Sequence, residues 1–263
     1  MTLWQAALLG ILQGVTEFLP VSSSGHLALA QMLIPGFQQP GVVFDAMLHV
    51  GTAAAVVWYE RRHILEWLHG ATGRRLLGLL VLGTAATACV ALPLRQVATE
   101  GFSRAAWIGI ALVLTGCVVG ATRWMAGGPT GEVQMTWRQA VGVGLAQGLA
   151  IFPGLSRSGM TIAAGLAGGL ERVWAARFSF LLAVPAIAAA TLVEVADASQ
   201  VPLELESGFV VATVVGASAA CLTGYFAIKL VIGSLSSRIF HRFAWYCVPL
   251  GIVVLVVSRG WLR

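Results

Sequence analysis

Charge is what this chain has least of. Asp, Glu, Lys and Arg make up 10% of its 263 residues, against 58% hydrophobic residues and a mean hydropathy of +0.85, whereas a soluble globular domain carries roughly 25% charged residues. That shortage excludes a water-soluble domain. It also excludes nucleic-acid binding, which a net charge of +5 would suggest in a soluble chain; in a membrane protein such a surplus is loop arginine gathered on one face. Cysteine at metal-like spacing is missing too. Cys89, Cys117, Cys221 and Cys247 all lie in apolar segments and read as small buried hydrophobes. No basic n-region precedes the first apolar run, so Met1 onward is expected in the mature protein. With no linker or low-complexity tract, residues 1–263 read as one membrane domain.

What is present is long apolar sequence. Six stretches, about 42–59, 76–94, 105–125, 175–195, 208–231 and 243–260, are long enough to cross about 30 Å of hydrocarbon. Two more, about 3–34 and 138–169, are broken at their middles by Pro, Gly and polar residues. Each predicts two half-length helices joined at a tip, a re-entrant hairpin, because irregular backbone at membrane depth survives only where protein or water satisfies it. The fold class is therefore an all-α polytopic membrane protein with six transmembrane helices and two re-entrant helical hairpins.

An internal repeat organises these elements. At an offset of 134 residues, without gaps, Gln5-Ala6 falls on Gln139-Ala140 and Gln13-Gly14 on Gln147-Gly148. Phe18 then falls on Phe152, Ser22 on Ser156, Ser24 on Ser158, Gly25 on Gly159 and Phe44 on Phe178. Repeat one covers about 1–125 and repeat two about 135–263. Three spans between the hairpins make the second repeat enter from the opposite face, an inverted-topology arrangement. One face then collects Arg61, Arg62, Arg74, Arg75, Arg123, Arg138, Arg172, Arg177, Arg238 and Arg242, with Lys229 near it. The other holds Arg95, Arg104, Arg259 and Arg263 with Asp197, Glu204 and Glu206. The positive-inside bias makes the first face cytoplasmic and places both termini and the mouth of the first hairpin outside. Trp58, Trp67, Trp107, Trp137 and Trp261 lie near span ends, as interfacial anchors do.

Ionisable groups at membrane depth are costly and usually face a working cavity. The first tip carries Gln13, Glu17, Ser22, Ser23, Ser24, Gly25 and His26; the second carries Ser156, Arg157, Ser158, Gly159 and Thr161, with Arg157 in register with Ser23. Two inverted hairpins bring such tips together near the midplane. Arg157 offers a planar fork for phosphate oxygens, Ser156, Ser158 and Thr161 offer hydroxyl donors, and a half-helix starting near Gly159 offers amides and a positive dipole end. Ser22, Ser24 and Gly25 are the corresponding contact candidates on the first tip. Ser23 and His26, three apart, share a helix face if the second half-helix starts near Ser23, which suits an activated nucleophile beside its base. Glu17 has three readings: orienting His26, acting as base, or binding a divalent ion together with Gln13. The bland alternative makes Glu17 and Arg157 a structural ion pair, expensive at that depth. Asp45 and His49 either back the site or form a polar pair on a helix face; Gln147 holds its hairpin together.

These residues carry a resemblance. Gln-Gly-Val-Thr-Glu-Phe-Leu-Pro-Val-Ser-Ser-Ser-Gly-His at 13–26 and Pro-Gly-Leu-Ser-Arg-Ser-Gly-Met-Thr at 153–161 are similar to the two signature motifs of the bacterial undecaprenyl-diphosphate phosphatases of the bacitracin-resistance type. The segment from Phe44 to Thr52 matches as well, and the likeness extends across essentially the whole chain. The resemblance implies an integral membrane phosphatase of the bacterial inner (plasma) membrane. Such an enzyme removes the terminal phosphate of the C55 isoprenoid diphosphate, recycling the lipid carrier of peptidoglycan synthesis, at a site open to the extracytoplasmic side. It implies Glu17, Ser23, His26 and Arg157 as catalytic residues, a divalent cation (Mg2+ or Ca2+), a polyprenyl diphosphate as partner among membrane lipids, and no nucleic acid. Gln13 stands where Glu is common, which weakens it as a metal ligand. Whether the chain works as a homodimer stays open. In the mechanism expected, Ser23, activated by His26 or Glu17, attacks the terminal phosphorus; direct attack by water is the alternative. A second function class, a polyprenyl-phosphate flippase using the same cavity and the same arginine, also fits broken helices meeting at the midplane.

Overall fold

The structure, a computed structural model, describes residues 1–34, 42–67, 71–101, 104–198 and 208–261. Within them the chain is helical, with no strand. Helix α1 (Leu3–Phe18) opens on a reciprocal cap in which Thr2 Oγ1 accepts from the Gln5 amide and Gln5 Oε1 accepts from the Thr2 amide. It stops where Leu19 precedes Pro20: a residue before proline is pushed out of the helical region, and Leu19 is extended at ψ 143°. Helix α2 (Ser23–Leu33) follows. The long helices α3 (Val42–Trp67), α4 (Ala71–Gly101) and α5 (Ala105–Ala121) come next.

Helix α6 (Trp137–Leu149) opens on the same cap, now Thr136 with Gln139, and α7 is Arg157–Ala167. At the offset of 134 residues the first residues of α1 and α2 fall on the first residues of α6 and α7, and the last residue of α2 falls on the last of α7. Helices α8 (Arg172–Ala198), α9 (Phe209–Ser236) and α10 (Ala244–Trp261) complete the chain.

Among the described residues five helices are long and apolar enough to cross a membrane: those at 72–101, 105–124, 172–197, 209–236 and 240–258. The protein is a polytopic helical membrane protein. Helix α3, expected as a sixth span, has 26 residues but bears Asp45, His49, Thr52 and Glu60 along its length and is not among the five. Of these, His49 lies 3.8 Å from Glu17 and Glu60 pairs with Arg177 at 3.5 Å.

The two halves are interlocked. Helix α1 packs along α9, α6 along α4, α5 along α10, and α3 against both α8 and α9. Close approach depends on small residues, as is usual where helices meet without water. A Cβ added at Gly10 would lie 2.2 Å from the Gly216 carbonyl oxygen, and one at Gly144 would lie 2.2 Å from that of Gly83. The central core includes Phe18, Phe178, Phe180 and Ile162, with the rings of Phe18 and Phe180 edge to face at 5.2 Å. Arg95 and Asp197, both expected on the less basic face, form an ion pair at 2.6 Å. Glu204, Glu206 and Arg263, expected on that same face, lie outside the described residues, as do the side chains of Arg259 and Trp261.

Candidate active site

The turn between α1 and α2 meets the turn between α6 and α7. A Cβ on Gly25 would sit 3.1 Å from Gly154 Cα, and one on Gly159 would sit 3.3 Å from Pro20 Cβ. Pro20 and Gly154 hold the same place in the repeat, as do Gly25 and Gly159, so the contact is reciprocal.

Glu17 lies at the centre. Its side chain is 4% exposed, and Arg157 Nη2 donates to its Oε1 at 2.7 Å. Ser23 Oγ donates to Glu17 Oε2 in a short hydrogen bond, and Gln13 Nε2 donates to the same oxygen at 2.8 Å. Gln13 and Glu17 are one helical turn apart, Ser23 begins α2 and Arg157 begins α7, so three chain segments converge on one carboxylate. A buried carboxylate is tolerable only when paired and hydrogen-bonded, and this one is both. Arg157 also donates from Nη1 to the Ser179 carbonyl at 3.5 Å. A guanidinium has five N–H donors, so others are left for an anion.

The remaining expected residues divide by what they touch. Ser22 Oγ accepts from the Gly25 amide at 3.3 Å and from the Gly154 amide, across the tips, at 3.1 Å. Ser24 Oγ lies 3.4 Å from Ser22 Oγ. Ser156 caps α7 by accepting from the Gly159 amide at 3.1 Å, and its hydroxyl pairs with that of Ser158. Ser158 donates to the Leu19 carbonyl at 3.1 Å. Thr161 is fully buried and donates to the Arg157 carbonyl at 2.7 Å. Ser22, Ser156, Ser158 and Thr161 thus hold the tips in shape.

The structure does not bring His26 to Ser23. His26 Nδ1 lies 2.7 Å from the Ser22 carbonyl oxygen and Nε2 lies 2.8 Å from the hydroxyl of Tyr246. The histidine near the carboxylate is His49 on α3, with Nε2 3.8 Å from Glu17 Oε2. Its Nδ1 donates to the Asp45 carbonyl at 2.8 Å, and the Asp45 carboxylate accepts from Gln31 Nε2 at 2.9 Å. Asp45 and His49 therefore back the site. Gln147, expected to hold its own hairpin together, instead donates to Thr87 Oγ1 on α4, in the other half, at 3.1 Å and to the Leu182 carbonyl on α8 at 3.4 Å.

Three contributors carried no signal in the sequence. Thr115 donates to the Gly154 carbonyl and accepts from the Ser156 amide, both at 2.9 Å; Tyr246 holds His26; Ser179 receives Arg157. Each is a single polar residue in an apolar helix far from the motifs, where neither periodicity nor spacing marks it.

The comparisons with known proteins cover the same ground. Residues 6–253 match the family described as Bacitracin resistance protein BacA. The chain is 42% identical over 273 residues to a protein of Desulfosudis oleivorans, covering 97% of this chain and 98% of the relative. It is 40% identical over 273 residues to one of Syntrophotalea carbinolica, covering 98% and 100%, and 37% identical over 260 residues to one of Carboxydothermus hydrogenoformans, covering 99% of each. All three relatives are named undecaprenyl-diphosphatase.

Proposed function

This chain belongs to the Bacitracin resistance protein BacA family, and from that premise we propose how its two tips work. It is a membrane-embedded undecaprenyl-diphosphatase: it hydrolyses undecaprenyl diphosphate to undecaprenyl phosphate and inorganic phosphate. The observation that carries the mechanism is the convergence of Ser23, Glu17 and Arg157, from three segments, on one set of hydrogen bonds.

Ser23 Oγ is the nucleophile and Glu17, already its hydrogen-bond acceptor, is the base. The bond from Oγ to the terminal phosphorus forms as the bridging P–O bond breaks; the Ser23 proton passes to Glu17 and on to the lipid monophosphate, which leaves with the electron pair of the broken bond. Water then attacks the phosphoserine and gives its proton to Glu17, which passes it to Ser23 Oγ as the Oγ–P bond breaks and phosphate departs. Arg157 bears on the phosphoryl oxygens, where negative charge must be held through the transfer. Its pairing with Glu17 holds the guanidinium in place.

A divalent cation fits the donor set. Gln13 Oε1 is buried without a hydrogen-bond partner beside the Glu17 carboxylate. Among the described residues no three His, Cys, Asp or Glu side chains form a closed cage. That donor set suits an ion such as Mg2+ or Ca2+ shared with the substrate's phosphates, the usual way Mg2+ is held. Glu17 and Gln13 would hold it, and it would supply charge neutralisation at the diphosphate.

Helix α3 serves as the sixth span, giving three crossings between the broken pairs and an inverted topology. The arginine distribution then puts the α1–α2 mouth and both termini on the extracytoplasmic side, where the lipid diphosphate is presented. The same interlocked broken helices also suit a flippase for the lipid product. Phosphate release from the lipid diphosphate by purified protein in detergent, where sidedness is gone, separates the two. Parent activity lost by about 10^3-fold or more in Arg157→Ala, the scale of a phosphoryl-stabilising arginine, is the result expected of the phosphatase. No release under any divalent cation would favour transport instead.

A further inference from the structure

Ser22 is one of two non-glycine residues among those described with positive φ, at 69°. A positive φ is strained for a residue that carries a side chain, and it persists only where the surroundings over-determine it. Here four hydrogen bonds do so. The hydroxyl accepts from the amides of Gly25 and Gly154, and the carbonyl accepts from the His26 amide at 3.1 Å and lies 2.7 Å from His26 Nδ1. A carbonyl only accepts, so Nδ1 carries a proton. In the neutral ring Nε2 is then an acceptor, and the Tyr246 hydroxyl donates to it at 2.8 Å. The rings lie nearly parallel, 15° between planes with centroids 5.7 Å apart. The next residue after Ser22 is Ser23, whose hydroxyl must point at Glu17.

We propose that Tyr246 and His26 are positioning residues for the nucleophile: Tyr246 fixes the Nδ1–H tautomer of His26, and that N–H clamps the strained Ser22 carbonyl so that Ser23 is presented to Glu17. His26 does no proton transfer in the reaction. The inference rests on Ser23 being the nucleophile, and it adds the link from α10, the last helix, to that serine. It also explains why a histidine sits three residues after Ser23 without touching it.

The test uses the purified full chain in detergent. In His26→Asn the side-chain amide N–H reaches the position of Nδ1–H but has no acid or base chemistry, whereas His26→Ala removes the clamp. We expect His26→Asn to keep kcat within about tenfold of the parent with an unchanged pH profile, while His26→Ala loses kcat with KM little altered. An acid–base residue would cost about 10²–10⁴-fold in both variants, and that loss in His26→Asn would overturn the proposal. Tyr246→Phe should lower kcat while the detergent melting temperature stays near the parent's. Nitrogen-15 spectra of labelled histidine should show the Nδ1–H tautomer of His26 in the parent and a mixture in Tyr246→Phe. An Nε2–H tautomer in the parent would overturn the proposal whatever the activity. A parent that releases no phosphate would instead refute the phosphatase reading and leave the spectra to decide the tautomer.

Discussion

The two tips share one pattern and do different work. Both have a capped half-helix, a break and a serine N-cap, at an offset of 134 residues. In the first, the N-cap Ser22 is left-handed at φ 69°; in the second, Ser156 is relaxed at −79°. The exchange of Pro20 for Gly154 at matching positions accounts for one asymmetric bond. Gly154 has an amide to give to Ser22 Oγ, and proline has none to return to Ser156. Gly154 itself stands at φ +96°, where glycine is unstrained. At the matching position to Glu17 stands Ile151, to Ser23 stands Arg157, and to His26 stands Met160. One tip thus holds the proposed nucleophile and base, the other the arginine that pairs with the carboxylate. A site assembled this way needs both halves. A shared helical geometry thus carries different chemistry through exchanges at a few matching positions.

The tips differ most in consequence at the paired charges. Glu17→Gln should lower kcat by about 10²–10⁴-fold, the loss of a general base, in a phosphate-release assay. Ile151→Val at the matching position should leave kcat near the parent's. A smaller effect is expected on stability where the tips touch. Gly154→Ala places a Cβ 2.5 Å from the Ile108 carbonyl oxygen at a positive φ, and should destabilise by about 1–3 kcal/mol, read as a lower melting temperature in detergent. The smallest effect is expected away from both tips. Asp197→Asn breaks an ion pair whose side chains are 49% and 57% exposed, and such pairs are worth about 1 kcal/mol at most. Its activity and melting temperature should stay close to the parent's.

Much of this was legible in the sequence because it was written locally. Gln5 and Gln139 in register mark two matching helices, Pro20 and Pro153 mark two breaks, and polar groups in greasy runs mark the tips. The offset between Ser22 and Ser156 predicted helices α2 and α7 in register. What spacing could not give was direction. Ser23 and His26 are three apart on one helix, yet Ser23 turns to α1 and His26 to α10, because the left-handed Ser22 and the distant Tyr246 decide it. His49 was set beside Asp45 by its spacing, but its approach to Glu17 depends on how α3 packs. Thr115 and Ser179 were invisible for the same reason: their partners lie at least 18 residues away. Helix α3 was read as a span whose Asp45 and His49 either back the site or pair on a helix face, and only its packing, which brings His49 to Glu17, decides between the two.

In the mechanism proposed, Ser23, held by one half and sharing Glu17 with the arginine of the other, attacks phosphorus. The direct measurement is rapid acid quenching of the protein with lipid diphosphate carrying a radiolabelled terminal phosphate, followed by mapping of the label. The expected result is label on the peptide containing Ser23, absent in Ser23→Ala together with turnover. A parent free of label, with Ser23→Ala still turning over, would contradict it.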